Sequence, residues 1–459
     1  MKVLVKGAGD LASGVAVQLK RRGYQVIMTE IETPLTVRRQ VAFSRAVYEK
    51  EAVVEDEKAV LVENYEQAKN ILKEGNLPVI IDPNAEILKE YKPEILVDAI
   101  IAKRNIGTKI TDAPYVIGLG PGFCAGKDCH AVIETMRGET LAKPIYEGEA
   151  IVNTGVPGMI GGYAKERLLK AMGDGMMNPQ ASIGDHVKKG QIVAYTGEKP
   201  VIAQIDGIVR GMLQEGVQVK KGLKIGDVDP RDDESLVYAI SDKSNAIGEG
   251  VVEAIERLTF QSFGIVILAA GKSKRYGSNK LLEIMDGKKM YQHLLDKISR
   301  VSVGTKVIVT RFPEIEEVAE DNKIAVIKND DPDRGISYSL KLGMKKCMQE
   351  DPKMKGILFI VCDQPYIRRQ TLKNILDMAA KNPGKIIAAA YHGKIGNPVF
   401  FDHKYWKELL ALTGDIGGSR FLKNMRTRFF FAKLISESCK ILMILHGRKK
   451  NKQRIYFTR

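Results

Sequence analysis

A glycine-containing loop in the second half of the chain carries the residues best suited to chemistry. The stretch LAAGKSKRYGSNKLL, Leu268 to Leu282, follows an apolar run that is typical of a buried strand. Small residues let backbone amides approach a phosphate chain closely, and a loop that leads into a helix favours anions. Lys272, Arg275 and Lys280 add fixed positive charge. The stretch therefore predicts a site for the phosphates of a nucleotide, and it is not a Walker loop because the G-K-[ST] ending is missing.

Polar residues beyond this loop supply the other groups that such a site needs. Asp363 follows the apolar run GILFIVC and is a candidate Mg²⁺ ligand, because Mg²⁺ takes one or two carboxylates together with phosphate oxygens. An ordinary helix cap is the alternative interpretation of Asp363. Candidates for contacting the nucleotide are Asn329, Ser337 and Ser339, and candidates for contacting the acceptor are Asn397 and Asp415.

The composite pattern A-A-G-x-S-x-R-x-G-x-x-K-L-L resembles the MobA-like nucleotidyltransferase family. The resemblance extends over about residues 264–422. Further matching segments are NDDPDRGISYSLKLG from Asn329, VCDQP from Val361, GNPVFF from Gly396 and GDIGG from Gly414. Ala269-Ala270-Gly271, Asn279-Lys280 and the Gln364-Pro365 pair are most similar to the molybdenum cofactor cytidylyltransferases, whereas guanylyl-specific relatives favour A-G-G and D-K.

This resemblance implies an α/β nucleotidyltransferase fold, Mg²⁺, and the substrates CTP and molybdopterin cofactor. It implies catalytic roles for Arg275, Lys280 and Asp363. It also implies a nucleotide site formed by Leu268, Ala269, Ala270, Gly271 and Ser273 together with Asn329, Ser337 and Ser339. Since such an enzyme attacks an α-phosphate and expels pyrophosphate, positioning and charge neutralisation are the work expected of these groups.

The first line of the sequence holds a different glycine motif. VLVKGAGDLASG predicts a strand, a glycine turn and a helix, and YQVIMTE predicts a second strand that ends at Glu30. Gly7, Gly9 and Gly14 with Glu30 would suit a dinucleotide, with the acid on a ribose. The spacing is G-x-G-x-x-x-x-G, with Ala12 at the usual third glycine, so an ordinary strand–helix turn stays open as the alternative.

A second distinctive stretch, GLGPGFCAGKDCHAVIET, runs from Gly118 to Thr135. Asp128 and His130 beside several glycines indicate a site loop, and a purely structural histidine is the competing interpretation. This stretch and the KGAGDLASG opening resemble the YqeB-type accessory family of selenium-dependent molybdenum hydroxylases, over residues 1 to about 255. The resemblance implies a Rossmann-like part, a small β-rich part and a role in hydroxylase maturation, with an apo molybdenum hydroxylase as the partner.

Between these regions the sequence repeats a short β-rich unit. IGDHVKKGQIVAY, from Ile183, is echoed by EGVQVKKGLKIGD, from Glu215, and each copy contains G-x-x-V-K-K-G. Two such units predict a small quasi-symmetric β-sandwich. It resembles the hammerhead of biotinyl and lipoyl domains, but the stretch between the halves has Gln204 and no lysine, which argues against lipoylation or biotinylation.

These patterns predict an α/β protein of four segments. A Rossmann-like accessory domain covers 1–146, a β-rich hammerhead-like domain 147–258, and a MobA-like nucleotidyltransferase domain 259–423. Residues 424–459 form an anomalous basic tail: it has ten Lys and Arg and one Glu, so it holds +9 of the net charge of +15. The remaining +6 gives no reason to expect nucleic acid as a partner.

Cysteine use and hydropathy limit the cellular setting. The five cysteines are scattered and odd in number, which favours a reducing cytoplasm over a disulfide scaffold. No run approaches the roughly 18 apolar residues that a membrane helix needs, so no membrane association is expected. The N-terminus lacks the pattern of a signal peptide.

The tail also departs from the family pattern. Relatives typically finish with a D-I-D element whose aspartate helps to hold the metal, and the chain as written has none. Back-translating Ile441 to Gly447 and shifting the frame by one nucleotide permits Asp-Ile-Asp-Asp-Ile-Ala-Trp. The hypothesis is a frameshift between about Met425 and Lys440, and a true basic tail is the alternative. As written, the residues after 424 are expected to fold poorly.

The function expected from all of this is transfer of CMP from CTP to molybdopterin cofactor, with pyrophosphate released, by an enzyme fused to a hydroxylase maturation domain. Two alternatives stay open. One is a guanylyl or sugar-phosphate nucleotidyltransferase on the same fold. The other is a non-catalytic protein that binds the cofactor and delivers it to a hydroxylase.

Overall fold

The structure is a computed structural model that describes residues 1–153, 155, 158–231, 233–271, 279–391, 394–414, 429–436 and 439–447. For residues 391, 394–395, 429–436 and 439–447 the description is limited to the backbone. The chain divides into two compact units, Met1–Ile255 and Glu256–Arg459. None of the described helices is both long enough and apolar enough to cross a bilayer.

A nine-stranded sheet forms the first part of the N-terminal unit. Its strands are β1 Lys2–Lys6, β2 Gln25–Glu30, β3 Glu51–Val54, β4 Glu57–Val62, β5 Leu77–Ile81, β6 Ile95–Asp98 and β7 Tyr115–Leu119, with β9 Ala131–Ile133 and β10 Pro144–Ile145 at one edge. The short strands β8 Cys124–Ala125 and β11 Gly148–Glu149 pair separately. The order is β10-β9-β7-β6-β1-β2-β5-β4-β3, and only the two edge pairs, β9/β10 and β3/β4, are antiparallel.

Strand β1 lies between β2 and β6, both parallel to it. The chain leaves β1 in one direction across the sheet and later builds β6 on the other side. This is the topological switch point at which doubly wound sheets bind ligands beyond the carboxyl ends of the strands. The fold places the first glycine motif at this point, since Gly7 and Gly9 follow β1 directly.

The helices of this unit are α1 Asp10–Arg21, α2 Ala46–Glu49, α3 Tyr65–Lys73 and α4 Leu88–Tyr91, followed later by α5 Ser235–Tyr238 and α6 Asp242–Phe260. Helices α1 and α6 cross at Gly14. A Cβ atom on Gly14 would lie 2.2 Å from the Ser244 Oγ and 2.9 Å from the Ser244 carbonyl oxygen. The Ser244 hydroxyl donates to the Asp10 carbonyl at 2.9 Å. Glycine at position 14 is therefore required by helix packing.

The repeated unit forms a sandwich of two four-stranded sheets. Its strands are β12 Leu168–Lys170, β13 Gly175–Pro179, β14 His186–Val187, β15 Ile192–Thr196, β16 Lys199–Ile202, β17 Gly207–Met212, β18 Gln218–Val219 and β19 Lys224–Asp229. The sheets are ordered β12-β19-β17-β14 and β16-β15-β13-β18. The short strand β14 of the first copy thus joins the sheet of β17 and β19, and β18 of the second copy joins β13 and β15. Each copy contributes one strand to the sheet of the other.

A single apolar core lies between the two sheets of the sandwich, and it includes Val187 from the first copy and Val219 from the second. The turns also match: the Gly184 amide donates to Val209 O, and the Gly216 amide donates to Met177 O, both at 2.8 Å. The buried pair Arg167–Asp227, at 3.0 Å, anchors the chain that enters the sandwich.

The C-terminal unit is built on a second sheet, part parallel and part antiparallel. Its strands are β20 Phe263–Ala269, β23 Thr305–Thr310, β24 Ala325–Lys328, β25 Gly356–Val361, β26 Ile386–Tyr391 and β27 Lys394–Asp402, while β21 Ile284–Met285 and β22 Lys288–Lys289 form a separate hairpin. The sheet order begins β24-β23-β20-β25-β27-β26. Its helices are α7 Met290–Ser299, α8 Pro313–Asp321, α9 Ile336–Glu350, α10 Arg369–Lys381 and α11 Trp406–Leu410.

Side chains of β20 alternate between the two faces of this sheet, as a buried strand requires. Ile265 and Ile267 pack in a core shared with α7, α8 and α10, whereas Val266 packs on the other face in a core shared with α9 and α11. The unit therefore has three layers. The predicted α/β fold class, with a Rossmann-like first part, a β-rich middle and an α/β nucleotidyltransferase-like last part, is confirmed.

The tail contains two strands, β28 Phe429–Ser436 and β29 Cys439–Gly447. They pair antiparallel with each other, and β29 extends the sheet antiparallel to β26. This differs from the expectation that residues after 424 fold poorly. The runs FFFAKLIS and CKILMILHG are rich in aromatic and β-branched or apolar residues, which favour strands.

Candidate active site

Two neighbouring strands bring the phosphate loop and Asp363 to one edge of the C-terminal sheet. Strand β20 pairs in parallel with β25, in a register that sets Leu268 opposite Val361. The Cys362 amide extends the ladder by donating to the Leu268 carbonyl at 3.0 Å. Because both strands end at the same edge, Gly271 and Asp363 leave the sheet side by side. At the start of the predicted nucleotide loop, Leu268 is half-buried, Ala269 and Ala270 are buried, and Gly271 is exposed.

The structure places the Lys280 ammonium beside the Asp363 carboxylate, with Nζ 3.5 Å from Oδ2. Lys280 begins a short 3₁₀ helix, Lys280–Leu282, which Asn279 caps by accepting a hydrogen bond from the Leu281 amide at 3.2 Å. Both partners stay accessible, since the side chains of Lys280 and Asp363 are 38% and 47% exposed. A cation and a carboxylate thus stand together at the strand ends with room for a ligand. Arg275 and Ser273 lie outside the described residues.

Gln364 joins this group, although the sequence analysis did not count it among the site residues. Its Nε2 donates to the Asn397 carbonyl at 3.4 Å, which brings the predicted acceptor residue Asn397 next to the Asp363 loop. Its Oε1 is buried, and no donor reaches it within the part of the chain that the structure describes. The peptide bond Asn397–Pro398 is cis. The sequence signal for Gln364 was the Gln364-Pro365 pair directly after Asp363, which contributed only to the resemblance to the cytidylyltransferases.

The other predicted nucleotide residues form a buried group of their own. The Asn329 side-chain amide donates to the Ser339 hydroxyl at 2.8 Å, and both side chains are buried. The Asn329 backbone amide donates to Thr310 O, and the Ser337 amide donates to Gly414 O at 3.2 Å. These contacts fix the beginning of α9 against the ends of β23 and β24. Asp415, the second predicted acceptor residue, lies outside the described residues.

The donors at this edge fit a hard divalent cation. Asp363 supplies one accessible carboxylate, and a site that uses one or two carboxylates with phosphate oxygens suits Mg²⁺. Among the described residues no three His, Cys, Asp or Glu side chains gather as a metal site, so substrate oxygens would have to complete the coordination. Cys362 does not compete as a nucleophile, because full burial raises the pKa of its thiol far above the ordinary value.

In the N-terminal unit, the carboxylate of Glu30 forms hydrogen bonds to the backbone, including that of the glycine loop. Its carboxylate accepts hydrogen bonds from the Ala8 amide and the Ile31 amide, both at 2.9 Å. Burial raises the pKa of this carboxyl. Gly7, at φ +92°, presses the loop against the Ala99 carbonyl, since a Cβ there would lie 3.1 Å from that oxygen. In this structure the acid predicted for a ribose stabilises the turn between β1 and α1.

Asp128 and His130 also contact backbone. The Asp128 carboxylate accepts from the Cys124 amide at 2.9 Å, and His130 Nδ1 accepts from the Val116 amide at 3.0 Å. Burial lowers the pKa of His130, which favours the neutral ring that can accept this bond. Burial also raises the pKa of the Cys129 thiol to about 11. The two predicted site residues thus brace the 118–135 loop.

The structure brings together three residues at the switch point that the sequence analysis missed. Lys6 Nζ donates to the Thr108 hydroxyl at 2.6 Å, and that hydroxyl donates to Asp98 Oδ2 at 2.6 Å. Lys6 and Asp98 also form an ion pair at 3.4 Å, with side chains only 9% and 2% exposed. Lys6 ends β1 and Asp98 ends β6. The triad joins the two strands at their carboxyl ends and holds the loop that carries Thr108.

Comparison with known proteins finds different similar proteins for the two units. Residues 265–429 match the family model of the MobA-like NTP transferase domain. The C-terminal unit therefore contains a nucleotidyltransferase domain. This match includes β20, β25 and the Lys280–Asp363 pair, so the residues assembled at the sheet edge belong to the MobA-like domain. It ends at the beginning of β28.

The N-terminal part is similar to the "Uncharacterized protein YqeB" of Escherichia coli (strain K12), with 47% identity over 259 residues. The match takes in 56% of this chain and 48% of that protein, so the chain spans about half the length of this relative. The predicted resemblance to the YqeB type is confirmed for this region.

Three further proteins are similar to the C-terminal unit, and the first two carry nucleotidyltransferase names. The "Probable molybdenum cofactor guanylyltransferase" of Pyrococcus horikoshii is 30% identical over 80 residues, which are 17% of this chain and 42% of that protein. A solved nucleotidyl transferase from Methanothermobacter is 24% identical, covering 36% of this chain and 81% of its own, with a TM-score of 0.31. A Mycobacterium tuberculosis protein solved in complex with manganese is 20% identical, covering 36% of this chain and 82% of its own, with a TM-score of 0.30.

The triad of Lys6, Thr108 and Asp98 at the switch point leads to a prediction about stability. Asp98→Ala leaves the Lys6 ammonium buried without its counter-charge, so we expect the free energy of opening of β1 and β6 to fall by about 3–5 kcal/mol. Replacing all three residues by apolar ones (Lys6→Met, Asp98→Leu, Thr108→Val) should cost far less, because no buried charge is left unpaired. Native-state hydrogen exchange of the β1 and β6 amides measures the free energy of opening in both variants. Unchanged protection in Asp98→Ala would show that the triad does not hold the strands.

Proposed function

We propose that this protein transfers CMP from CTP to molybdopterin cofactor and releases pyrophosphate. The observation that carries the proposal is the accessible Lys280–Asp363 pair at the adjoining carboxyl ends of β20 and β25, within a MobA-like NTP transferase domain. The link to molybdenum cofactor draws support from the relative named as a guanylyltransferase of that cofactor. The choice of CTP rests on Ala269-Ala270-Gly271 and on the Gln364-Pro365 pair.

In the proposed reaction an oxygen of the acceptor's terminal phosphate attacks the α-phosphorus of CTP. The new P–O bond forms as the bond to the pyrophosphate oxygen breaks, and pyrophosphate leaves. The chain's own part is to position both substrates and to balance their negative charge. Backbone amides at Ala270 and Gly271 and the ammonium of Lys280 face the phosphates. Asp363 would hold Mg²⁺, which supplies further charge neutralisation on phosphate oxygens when bound. Gln364 orients the Asn397 segment on the acceptor side.

For the N-terminal unit we propose a role in maturation of a molybdenum hydroxylase of the selenium-dependent class. It rests on the similarity to YqeB together with the motifs KGAGDLASG and GLGPGFCAGKDCHAVIET. Gly7 and Gly9 at the switch point remain the candidate contacts for a dinucleotide or related cofactor, whereas Gly14 serves the packing of α1 against α6. The partner would be the apo hydroxylase.

The nucleotide choice is tested by pyrophosphate release. With molybdopterin cofactor as acceptor, we expect turnover with CTP to exceed turnover with GTP at least tenfold. Both nucleotides are measured at equal concentration with Mg²⁺, and omission of the acceptor is the control. Equal rates, or a preference for GTP, would replace the cytidylyl proposal by the guanylyl alternative.

The role of Asp363 is tested by Asp363→Asn, which keeps the shape of the side chain and removes its charge. We expect kcat to fall by about 10²–10³-fold, the size of effect seen when one preorganised electrostatic contact is lost. Asp377→Asn is the matched control, because Asp377 forms an ion pair with Lys381 on α10, away from the sheet edge. Tight cofactor binding with no turnover in either the original chain or Asp363→Asn would instead favour the delivery protein.

We also propose that a frameshift lies between about Met425 and Lys440. The supporting observations are the Asp-Ile-Asp-Asp-Ile-Ala-Trp reading that the shifted frame permits and the end of the family match at residue 429. Sequencing the gene from the Gly414 codon onward is the test. We expect one inserted or missing base, and a chain with the restored Asp-Ile-Asp element should be at least tenfold more active. An unshifted reading frame would establish the basic tail as real.

A further inference from the structure

A basic cleft lies in the C-terminal unit, outside the phosphate loop. It has a volume of about 380 Å³, within the range of small-molecule sites. It is lined by Lys288, His293, Asp296, Lys297, Arg300 and Arg369. With histidine neutral, four cations face one carboxylate. Such an excess of positive charge in a concave surface concentrates anions.

The spacing of the lining residues on α7 explains how one helix supplies most of this surface. His293, Asp296, Lys297 and Arg300, the residue after α7, stand at i, i+3, i+4 and i+7, which is one face of a helix. The opposite face, including Leu294 and Leu295, is buried in the core. A polar helix face is ordinarily exposed to solvent, and it does not by itself indicate a ligand site. Here it is closed into a cleft by Arg369, the first residue of α10, which comes from another part of the chain.

Two of the cations have no carboxylate partner among the residues that the structure describes. Lys288 forms an ion pair with Asp296 at 2.6 Å, which uses the single carboxylate of the cleft. Arg300 and Arg369 form no ion pair among the described residues, and both are exposed. Guanidinium groups present paired N–H donors that match phosphate oxygens, so two unpaired arginines in one cleft favour a phosphate-bearing anion.

The cleft is also connected to the active-site loop. Lys297 Nζ donates a hydrogen bond to the Pro365 carbonyl, two residues after Asp363. The pKa of Lys297 is lowered by burial, in agreement with an ammonium drawn away from solvent. An anion in the cleft would attract this ammonium and compete with the carbonyl for its protons. The loop that positions Asp363 and Gln364 would then lose one of its fixed contacts.

We propose that the cleft is a second anion site that binds polyphosphate groups, and that its occupancy loosens the Asp363 loop through Lys297. The ligand class is a small molecule with two or more linked phosphates, whether an inorganic polyphosphate or the phosphate chain of a nucleotide. Binding at the cleft does not depend on which nucleotide the active site uses. A failed CTP assay would therefore contradict the proposed function without contradicting this anion site.

The probe is inorganic tripolyphosphate, titrated calorimetrically into the full chain carrying Lys280→Ala, which removes the described cation of the phosphate loop. We expect one saturable site, weakened at least tenfold by adding Arg300→Ala and Arg369→Ala. Lys345→Ala with Lys353→Ala is the matched control, because both lysines are exposed, lie outside the cleft and remove the same charge. This control should change the affinity less than twofold.

A second measurement follows the loop itself. Hydrogen exchange of the Asp363, Gln364 and Tyr366 amides should accelerate at least threefold on addition of tripolyphosphate, and should not respond when Arg300 and Arg369 are both alanine. Absence of binding, or equal loss of binding in the lysine control, would overturn the site. Binding with unchanged exchange would overturn the coupling to Asp363. Displacement of tripolyphosphate by a lower concentration of octaglutamate would instead identify a docking surface for an acidic protein segment.

Discussion

The hydrogen bonds between β20 and β25 determine where the chemistry of the C-terminal unit can occur. They fix Leu268 opposite Val361, and the Cys362 amide adds one more bond beyond the strand end. A shift of one residue in this register would turn the apolar side chains of β25 to the opposite face of the sheet, into cores packed around other side chains. The packing on both faces therefore holds the register, and with it the place of Asp363 at the edge beside Lys280.

The two glycine motifs of the chain lie at equivalent places in their sheets and are used differently. After β20 the backbone becomes exposed at Gly271. After β1, the turn is closed, because Glu30 accepts from the Ala8 amide and Gly7 abuts the Ala99 carbonyl. Gly14 serves the crossing of α1 and α6. A strand–glycine–helix sequence is thus compatible with an open phosphate site or with tight packing, and the neighbouring elements decide between them.

The sequence was sufficient for features that depend on local pattern. Apolar alternation predicted β1, β2, β20 and β25, and the G-x-x-V-K-K-G repeat predicted the sandwich. It also placed Asp363 at a strand end. The pattern could not reveal contacts between distant residues, such as Lys6 with Thr108, 102 positions apart, or Arg369 beside α7. It also assigned Asn329 and Ser339 to ligand contacts without the information that they bond each other. The FFFAKLIS and CKILMILHG strands were not expected, because the tail was interpreted as the product of a shifted reading frame rather than by its strand propensity.

The exchange of strands between the two halves of the sandwich has a consequence for the order of events during synthesis. Because β14 completes the sheet of the second half and β18 completes that of the first, neither half has a complete sheet of its own. Domains generally fold as units as the nascent chain emerges. The first G-x-x-V-K-K-G copy must therefore wait, with its apolar residues unprotected, until β19 has left the ribosome. The exchange of strands between the two copies therefore makes folding of this region an all-or-none step that requires the chain up to residue 229.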